Sequence, residues 1–574
     1  MKLLLRRFAK STRGIFLRTN IARNMSTASQ PSRSTSEELF EYTSGRWIYN
    51  EELRRTERSC PFDIDGLTQV LAKTSNRPVS TLLSLAKLSE GGFNRILEAT
   101  FDDGHQIIAR LPYPMVTPKR YTIASEVATL KLLHSRGIPV PKVLGYDTTV
   151  HNPVGVEYIL LEKISGTSLG DRWFEMSNRS RKRIIEQIIN IEKRIFQIHF
   201  PASGSLYHRQ DLTDGERYSH VTGASSSLDE VVVGPIAQHE WYYKERAELK
   251  VDRGPWSNFH DCFTAGAKKE LKWCEIYGKP RLHVERYLRE LHSFQKMDPA
   301  QYQELLKLFL KLAPSLNVEA RHPLSRPVLR HPDLSPNNIM VSEDDQILGI
   351  IDWQHAVVLP LCLVAGIPKY FQNWGDPVSE KLSKPDTKLP ENFNELDPQQ
   401  QASVKETLQK RLTHFLYAAG TMIDIPDHFS AITQYNAMLR NRLYSLASMP
   451  WEGDSVSLKR TLIEVVQNWP LTLEQSGSLE TPPHVTQCPI EFSPEETQEC
   501  IQQYDTQEEE LQELISMRDH LDIDPQGWVP DDDHWEKSRE MASDIKQAML
   551  EHAAKTELTR TAILDHFPFD DHEE

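Results

Sequence analysis

The run Leu329-Arg-His-Pro-Asp-Leu-Ser-Pro-Asn-Asn-Ile-Met-Val-Ser, answered by Leu348-Gly-Ile-Ile-Asp-Trp-Gln, constrains this chain more than any other part of it. Val328 and Leu329 end a strand, His331-Pro332-Asp333 turns the chain, and Pro336-Asn337-Asn338 turns it again. Ile339 to Val341 and Ile347 to Ile351 read as two arms of a hairpin, joined by a polar turn over Ser342 to Gln346. The open end of that hairpin carries Asn338 and Asp352, with Asp333 on the loop beside them. Two oxygen ligands of this kind suit Mg²⁺, which commonly takes one or two protein side chains together with phosphate oxygens. A carboxylate next to them can accept a proton from a hydroxyl. These are the minimum parts for phosphoryl transfer, where catalysis is mostly positioning and charge neutralisation.

The upstream sequence supplies a matching half. Gly91-Gly92 precedes strand-like sequence, and paired glycines let backbone amides approach phosphates closely. Asp102-Asp103-Gly104 is a hairpin turn, and Gln106 to Leu111 is the returning strand that carries Arg110. Tyr121 to Arg136 reads as a helix with Ile123, Val127, Leu130 and His134 on one stripe; Gly137 and Pro139 end it. Glu126 lies within this helix. Tyr158 to Ile164 is a further strand, and Gly166 lets the chain turn away from it.

His331-x-Asp333-x-x-x-x-Asn338, followed by Ile351-Asp352-Trp353, resembles the catalytic signature of the aminoglycoside phosphotransferase and choline-kinase-like family. That resemblance implies an α+β, bilobal protein-kinase-like fold, with a small β-rich N-lobe and a large, mostly helical C-lobe. It implies ATP and Mg²⁺ as cofactors, Asp333 as catalytic base, His331 as a brace for the loop, and Asn338 and Asp352 as metal ligands. Gly91 and Gly92 would cover the phosphates. Arg110 stands where the family usually carries a phosphate-binding Lys, and Glu126 resembles its acidic partner; Arg is bulkier than Lys and binds in a different geometry. Backbone groups of Glu162 to Ile164 would meet the adenine at the hinge. Trp353 stands where protein kinases usually carry Phe, which favours the small-molecule branch. Val233-Gly234-Pro235, Asp252-Arg253-Gly254-Pro255-Trp256, the length and the basic N-terminus resemble the fungal altered inheritance of mitochondria protein 9 family, whose members are mitochondrial and carry a phosphotransferase-like domain.

The first acidic residue is Glu37, after eight basic ones: Lys2, Arg6, Arg7, Lys10, Arg13, Arg18, Arg23 and Arg33. An amphipathic, Arg- and Ser-rich, acid-free leader reads as a mitochondrial transit peptide over residues 1–36. The whole chain has a net charge of −15, so removing eight positive charges would leave about −23 (−15 minus 8). That suits a matrix protein and disfavours nonspecific nucleic-acid binding. No run has the apolar length of a membrane span; Ile347 to Ile367 comes nearest, but Asp352, Gln354, His355 and Pro360 interrupt it. The six cysteines show neither a C-x-x-C pair nor a zinc spacing, and read as reduced thiols.

The remaining divisions follow: an extension over 37–79, the N-lobe over 80–163, the C-lobe with an insert and the catalytic hairpin over 164–370, and a helical extension of the large lobe over 371–574. Arg209 to Glu230 reads as a polar surface loop. Trp241, Tyr242, Tyr243, Trp256 and Trp273 give the insert aromatic mass for packing. Glu495 to Arg518 is an acidic helical stretch that offers a surface to a protein partner, and Asp531-Asp532-Asp533 reads as a helix start. Two function classes fit. The first is an ATP-dependent phosphotransferase acting on a small hydroxylated or aminated mitochondrial metabolite, with the acceptor unspecified. The second is a catalytically inactive pseudokinase, a nucleotide-binding or scaffold protein. Intact Asp333, Asn338 and Asp352 favour the first; Arg110, the insert and the acidic tail keep the second open.

Overall fold

The computed structural model describes residues 36–221, 230–474, 487–552 and 557–572. The expected transit peptide therefore lies, but for its last residue, outside the described residues. A five-stranded antiparallel sheet forms the small lobe, in the order Leu82–Glu90, Asn94–Phe101, Gln106–Pro112, Tyr158–Glu162 and Val143–Asp147. The Asp102–Gly104 turn joins the second strand to the third, with Gly104 at φ 79°, a conformation glycine adopts without steric cost. Alternating side chains of these strands (Leu97, Ala99 and Phe101; Ile107, Ala109 and Leu111) form one buried face, as a half-buried sheet requires.

The helix Lys119–Ser135 crosses the other face of the sheet. Ile123, Val127 and Leu130 are buried as the stripe predicts, whereas His134 is exposed. The buried surface is wider than one stripe, taking in Thr122, Ser125, Glu126 and Thr129. The reason is a second neighbour: the insert packs a small sheet, Ser205–His208, Val231–Gly234 and Ser219–His220, against the same helix. Trp241, Tyr242, Trp256 and Trp273 are buried, so the aromatic mass of the insert packs rather than forming an open cage.

The large lobe is helical, as expected of an α+β bilobal protein. Its centre is the helix Asn178–Phe196, whose isoleucines pack with the helix Pro398–Asp424 and with the strand Pro327–Arg330. The helical extension includes two consecutive helices, Pro426–Thr433 and Tyr435–Ser448. Among the described residues, no helix is long and apolar enough to cross a membrane. Asp531 accepts from the backbone N–H of His534 at 2.9 Å and starts the helix Asp532–His552.

The tail does more than extend the large lobe. Trp528–Val529 pairs antiparallel with Arg46–Trp47, so the two ends of the described chain meet.

Candidate active site

The hairpin over 339–350 forms as the turn chemistry predicts. Ile339–Val341 pairs antiparallel with Ile347–Ile350, and a short 3-10 turn over Pro336–Asn338 precedes it. The N–H of Ile351 donates to the carbonyl of Asn338 at 2.9 Å. That bond sets Asn338 and Asp352 side by side at the open end. Asp352 has φ 66°, a left-handed conformation uncommon for a non-glycine residue. The turn breaks the strand at that residue and swings its carboxylate toward the small lobe.

His331 ties the loop to the strand. Its Nε2 donates to the Ile351 carbonyl at 2.9 Å, and its Nδ1 accepts from the Asp333 N–H at 3.1 Å. One ring nitrogen donates and the other accepts, so the ring is neutral. Burial depresses its pKa, which keeps it so. His331 also stacks edge-on against the buried Trp353, with centroids 4.6 Å apart. It fixes Asp333 relative to Asp352 without facing the site itself. Asn338 Nδ2 donates to the Asp333 carbonyl at 2.8 Å, which leaves the Asn338 side-chain oxygen uncommitted.

Arg110 joins the two lobes. Its Nη1 donates to Glu126, and its Nη2 donates to Asp352 Oδ1 at 2.6 Å and to Gln354 Oε1 at 2.5 Å. Asn94 Nδ2 donates in turn to the same Gln354 oxygen at 2.5 Å. Three acceptors thus meet the cation, whose five donors lie in a fixed fork, and Asn94 braces Gln354 behind them. A lysine ammonium has three donors and no fork, so Arg110 is a cation served differently from a lysine rather than a damaged one. The sequence reading had Arg110, Glu126 and Asp352; it missed Asn94 and Gln354. Only adjacency could have found them: each flanks a motif residue by one or two positions, after Gly91-Gly92 and after Asp352.

Charge follows from these contacts. Burial opposes the charge on Arg110, but Glu126 and Asp352 hold its pKa above the ordinary value. Burial pushes Glu126 up to about 7 against the pull of Arg110. Burial likewise works to raise Asp352, but Arg110 outweighs it and holds the acid below its usual value. The Asp352 side chain remains 49% exposed, and its Oδ2 makes no hydrogen bond among the described residues. An ionised, accessible carboxylate oxygen beside an amide oxygen fits a hard divalent cation.

Above this site, Gly91 and Gly92 form the tip of the first hairpin. Neither adopts a positive φ, so neither is required by the turn. What they provide is room: a Cβ placed on Gly92 would meet nothing within 4 Å. Phe93 folds from this tip against His355, with centroids 5.5 Å apart. At the hinge, the Glu162 N–H donates to the Lys142 carbonyl at 3.0 Å, and the Ile164 side chain lies against Gly349, where a Cβ would come within 2.0 Å of it. The Glu162 amide is therefore committed within the protein, while Ile164 packs on the hairpin over 339–350.

Residues 85–362 match the profile of the phosphotransferase enzyme family. A subtelomeric hrmA-associated cluster protein of Aspergillus fumigatus is 31% identical over 500 residues, covering 82% of this chain and 93% of the relative. The chain belongs to the phosphotransferase enzyme family. The altered inheritance of mitochondria protein 9 of Yarrowia lipolytica is a further relative of this phosphotransferase-family chain, 25% identical over 461 residues, covering 75% of this chain and 76% of that protein. Among solved structures, a choline kinase, LicA, from Streptococcus pneumoniae aligns with a TM-score of 0.29 and 12% identity, over 77% of this chain and 99% of that one.

Proposed function

We propose that this family member is a phosphotransferase that uses ATP and Mg²⁺ to phosphorylate a small molecule. The observation that carries the reading is the convergence of Asp333, Asn338, Asp352 and Arg110 beneath a loop with open space over Gly92. Asn338 and Asp352 would hold Mg²⁺, which when bound neutralises phosphate charge. Asp333 takes the acceptor's proton. Arg110 stabilises the phosphate, and Glu126 holds Arg110 in place. In this reading residues 80–163 are the small lobe, 164–370 the catalytic large lobe and 371–574 its helical extension, after an extension over 37–79. The basic leader and the mitochondrial names of the altered inheritance relatives support a mitochondrial address, in the matrix.

A second reading has one observation in its favour. Arg110 already occupies one oxygen of Asp352, as a protein that keeps the fold only for binding or scaffolding would tolerate. Calorimetry of ATP with Mg²⁺, on wild type and Asp352→Asn, separates the phosphotransferase from a pure scaffold, and turnover separates it from a nucleotide-binding pseudokinase. Mg²⁺-dependent binding lost in the variant supports the phosphotransferase, and a screen of small hydroxylated and aminated metabolites then tests turnover. A well-folded wild type that binds no nucleotide refutes that reading in favour of the scaffold.

A further inference from the structure

The hairpin that carries Gly91 and Gly92 closes on the pair Glu90 and Arg95, the last facing residues before its tip. Both side chains are fully buried, and Arg95 Nη2 lies 2.8 Å from Glu90 Oε1. Glu90 also pairs with Lys87 of its own strand at 3.1 Å, and both side chains reach beyond the small lobe. Glu90 Oε2 accepts from the backbone N–H groups of Thr43 and Ser44, both at 2.8 Å, and from the Ser44 hydroxyl at 2.7 Å. Arg95 donates to the carbonyls of Leu39, at 2.7 Å, and Arg58, at 3.2 Å. The Lys87 ammonium adds a bond to the Glu41 carbonyl at 3.1 Å. Segment 39–58 is therefore fastened to the base of the glycine loop by buried, charge-assisted bonds, the stronger kind.

The same segment is fastened at its other side to the C-terminal tail. Trp47 pairs with Trp528 and Arg46 with Val529. The Trp528 indole donates to the Tyr42 hydroxyl at 3.0 Å, and the Trp535 indole to the Trp47 carbonyl at 2.9 Å. Arg46 lies 3.6 Å over the Trp535 ring. The His572 N–H donates to Asn50 Oδ1 at 2.7 Å. Space has been left for the approach: a Cβ on Gly45 would fall 2.4 Å from the Val529 carbonyl oxygen. The tail is anchored in turn on the large lobe, through Tyr287 to Glu513 at 2.9 Å and Arg518 to Glu285 at 3.0 Å. Apolar side chains of all three regions, among them Ile48, Leu288, Leu514 and Ile563, share one cluster.

We infer that Glu90 and Arg95 are positioning residues of the phosphate loop, and that the joined terminal extensions set the loop's geometry through them. A second connection between the lobes, outside the hinge, then runs from the large lobe through the tail and segment 39–58 to the glycine tip. The inference rests on the reading above that this tip covers nucleotide phosphates.

The test is hydrogen exchange on the full chain, with Mg²⁺–ATP affinity measured beside it. Trp528→Ala cuts the connection at the tail, and Ser44→Ala weakens it at Glu90 without touching the core, removing the hydroxyl bond while both backbone N–H bonds remain. Each variant is expected to raise exchange of residues 88–96 while leaving 339–350 unchanged, and to weaken Mg²⁺–ATP roughly three- to tenfold. Exchange that rises only over 42–50 and 524–532, with 88–96 as in wild type, overturns the inference, because the extensions would then be passive cover. If Trp528→Ala loses its cooperative thermal transition, Ser44→Ala decides by the same criterion. A wild type that binds no nucleotide refutes the proposed function but not the connection, which the exchange pattern still reads.

Discussion

At the scale of single residues, Arg110 makes the sharpest prediction. Glu126, Asp352 and Gln354 each direct an oxygen at its guanidinium, and Asn94 donates to the Gln354 oxygen. Arg110→Lys keeps the charge but removes Nε and the fork. One ammonium without the fork cannot serve all three acceptors as the guanidinium does, and an acceptor that loses its buried donor costs about 1–3 kcal/mol. Urea unfolding should show that loss, and restoring family-typical lysine should therefore weaken the protein; equal or greater stability in the lysine variant would mean the acceptors are not tuned to arginine. The cysteines make a second prediction. All six are free, and burial pushes the Cys274 and Cys362 thiols up to about 12. The thiolate is the reactive form, so at pH 8 these two should resist a thiol reagent until the chain unfolds. Fast labelling of either in the native protein would contradict the burial described.

At the scale of elements, the strand Pro327–Arg330 is held where it enters the loop of His331 and Asp333 by one polar network. Arg330 Nη2 donates to Glu192 Oε1 at 2.8 Å, and the Tyr417 hydroxyl donates to Glu192 Oε2 at 2.6 Å. Glu192→Ala removes the counter-charge of Arg330, leaving it the Val364 carbonyl and the Tyr417 hydroxyl, and removing one partner of such a pair costs about 3–5 kcal/mol. Denaturant titration should show a loss of that size; a change under about 1 kcal/mol, the typical worth of an exposed pair, would mean the network is solvated. None of this network was legible in the sequence, although the hairpin over 339–350 beside it was. The difference is range. Asn338, the 342–346 turn and Asp352 are specified by neighbouring turn residues, and Arg110 with Glu126 by a motif order. Gln354 reaches Arg110 across 244 positions and Tyr417 reaches Glu192 across 225, and no local pattern records either. His134 failed for a related reason, since its helix has two packing partners and the stripe of one face does not say which flank they leave open. The meeting of Trp47 with Trp528 was unreadable for the same cause, each strand being two residues long.

At the scale of the whole molecule, histidines couple the fold to pH. His331, His414 and His428 each accept a hydrogen bond from a backbone N–H: Asp333 at 3.1 Å, Asn373 at 2.8 Å and Gly366 at 3.4 Å. A protonated ring has no acceptor nitrogen, so protonation must break these bonds inside packed regions. Burial accordingly lowers the pKa of all three, and that of His428 well below 6.5. In the unfolded chain each returns to about 6.5. Below that pH the unfolded state binds more protons than the folded state, so stability is complete above about 6.5 and falls as the pH drops toward the folded values. Each histidine that stays neutral while its unfolded counterpart is charged removes up to about 1.4 kcal/mol per pH unit. Glu126 acts the other way, because burial makes its folded form hold a proton up to about 7, but it is one group against three. Urea midpoints should therefore drop between pH 7.5 and 5.5, and His428→Gln should make the drop shallower. A midpoint that is flat or rises over that interval would mean these rings take up protons in place, and that the packing around them yields more readily than their hydrogen bonds imply.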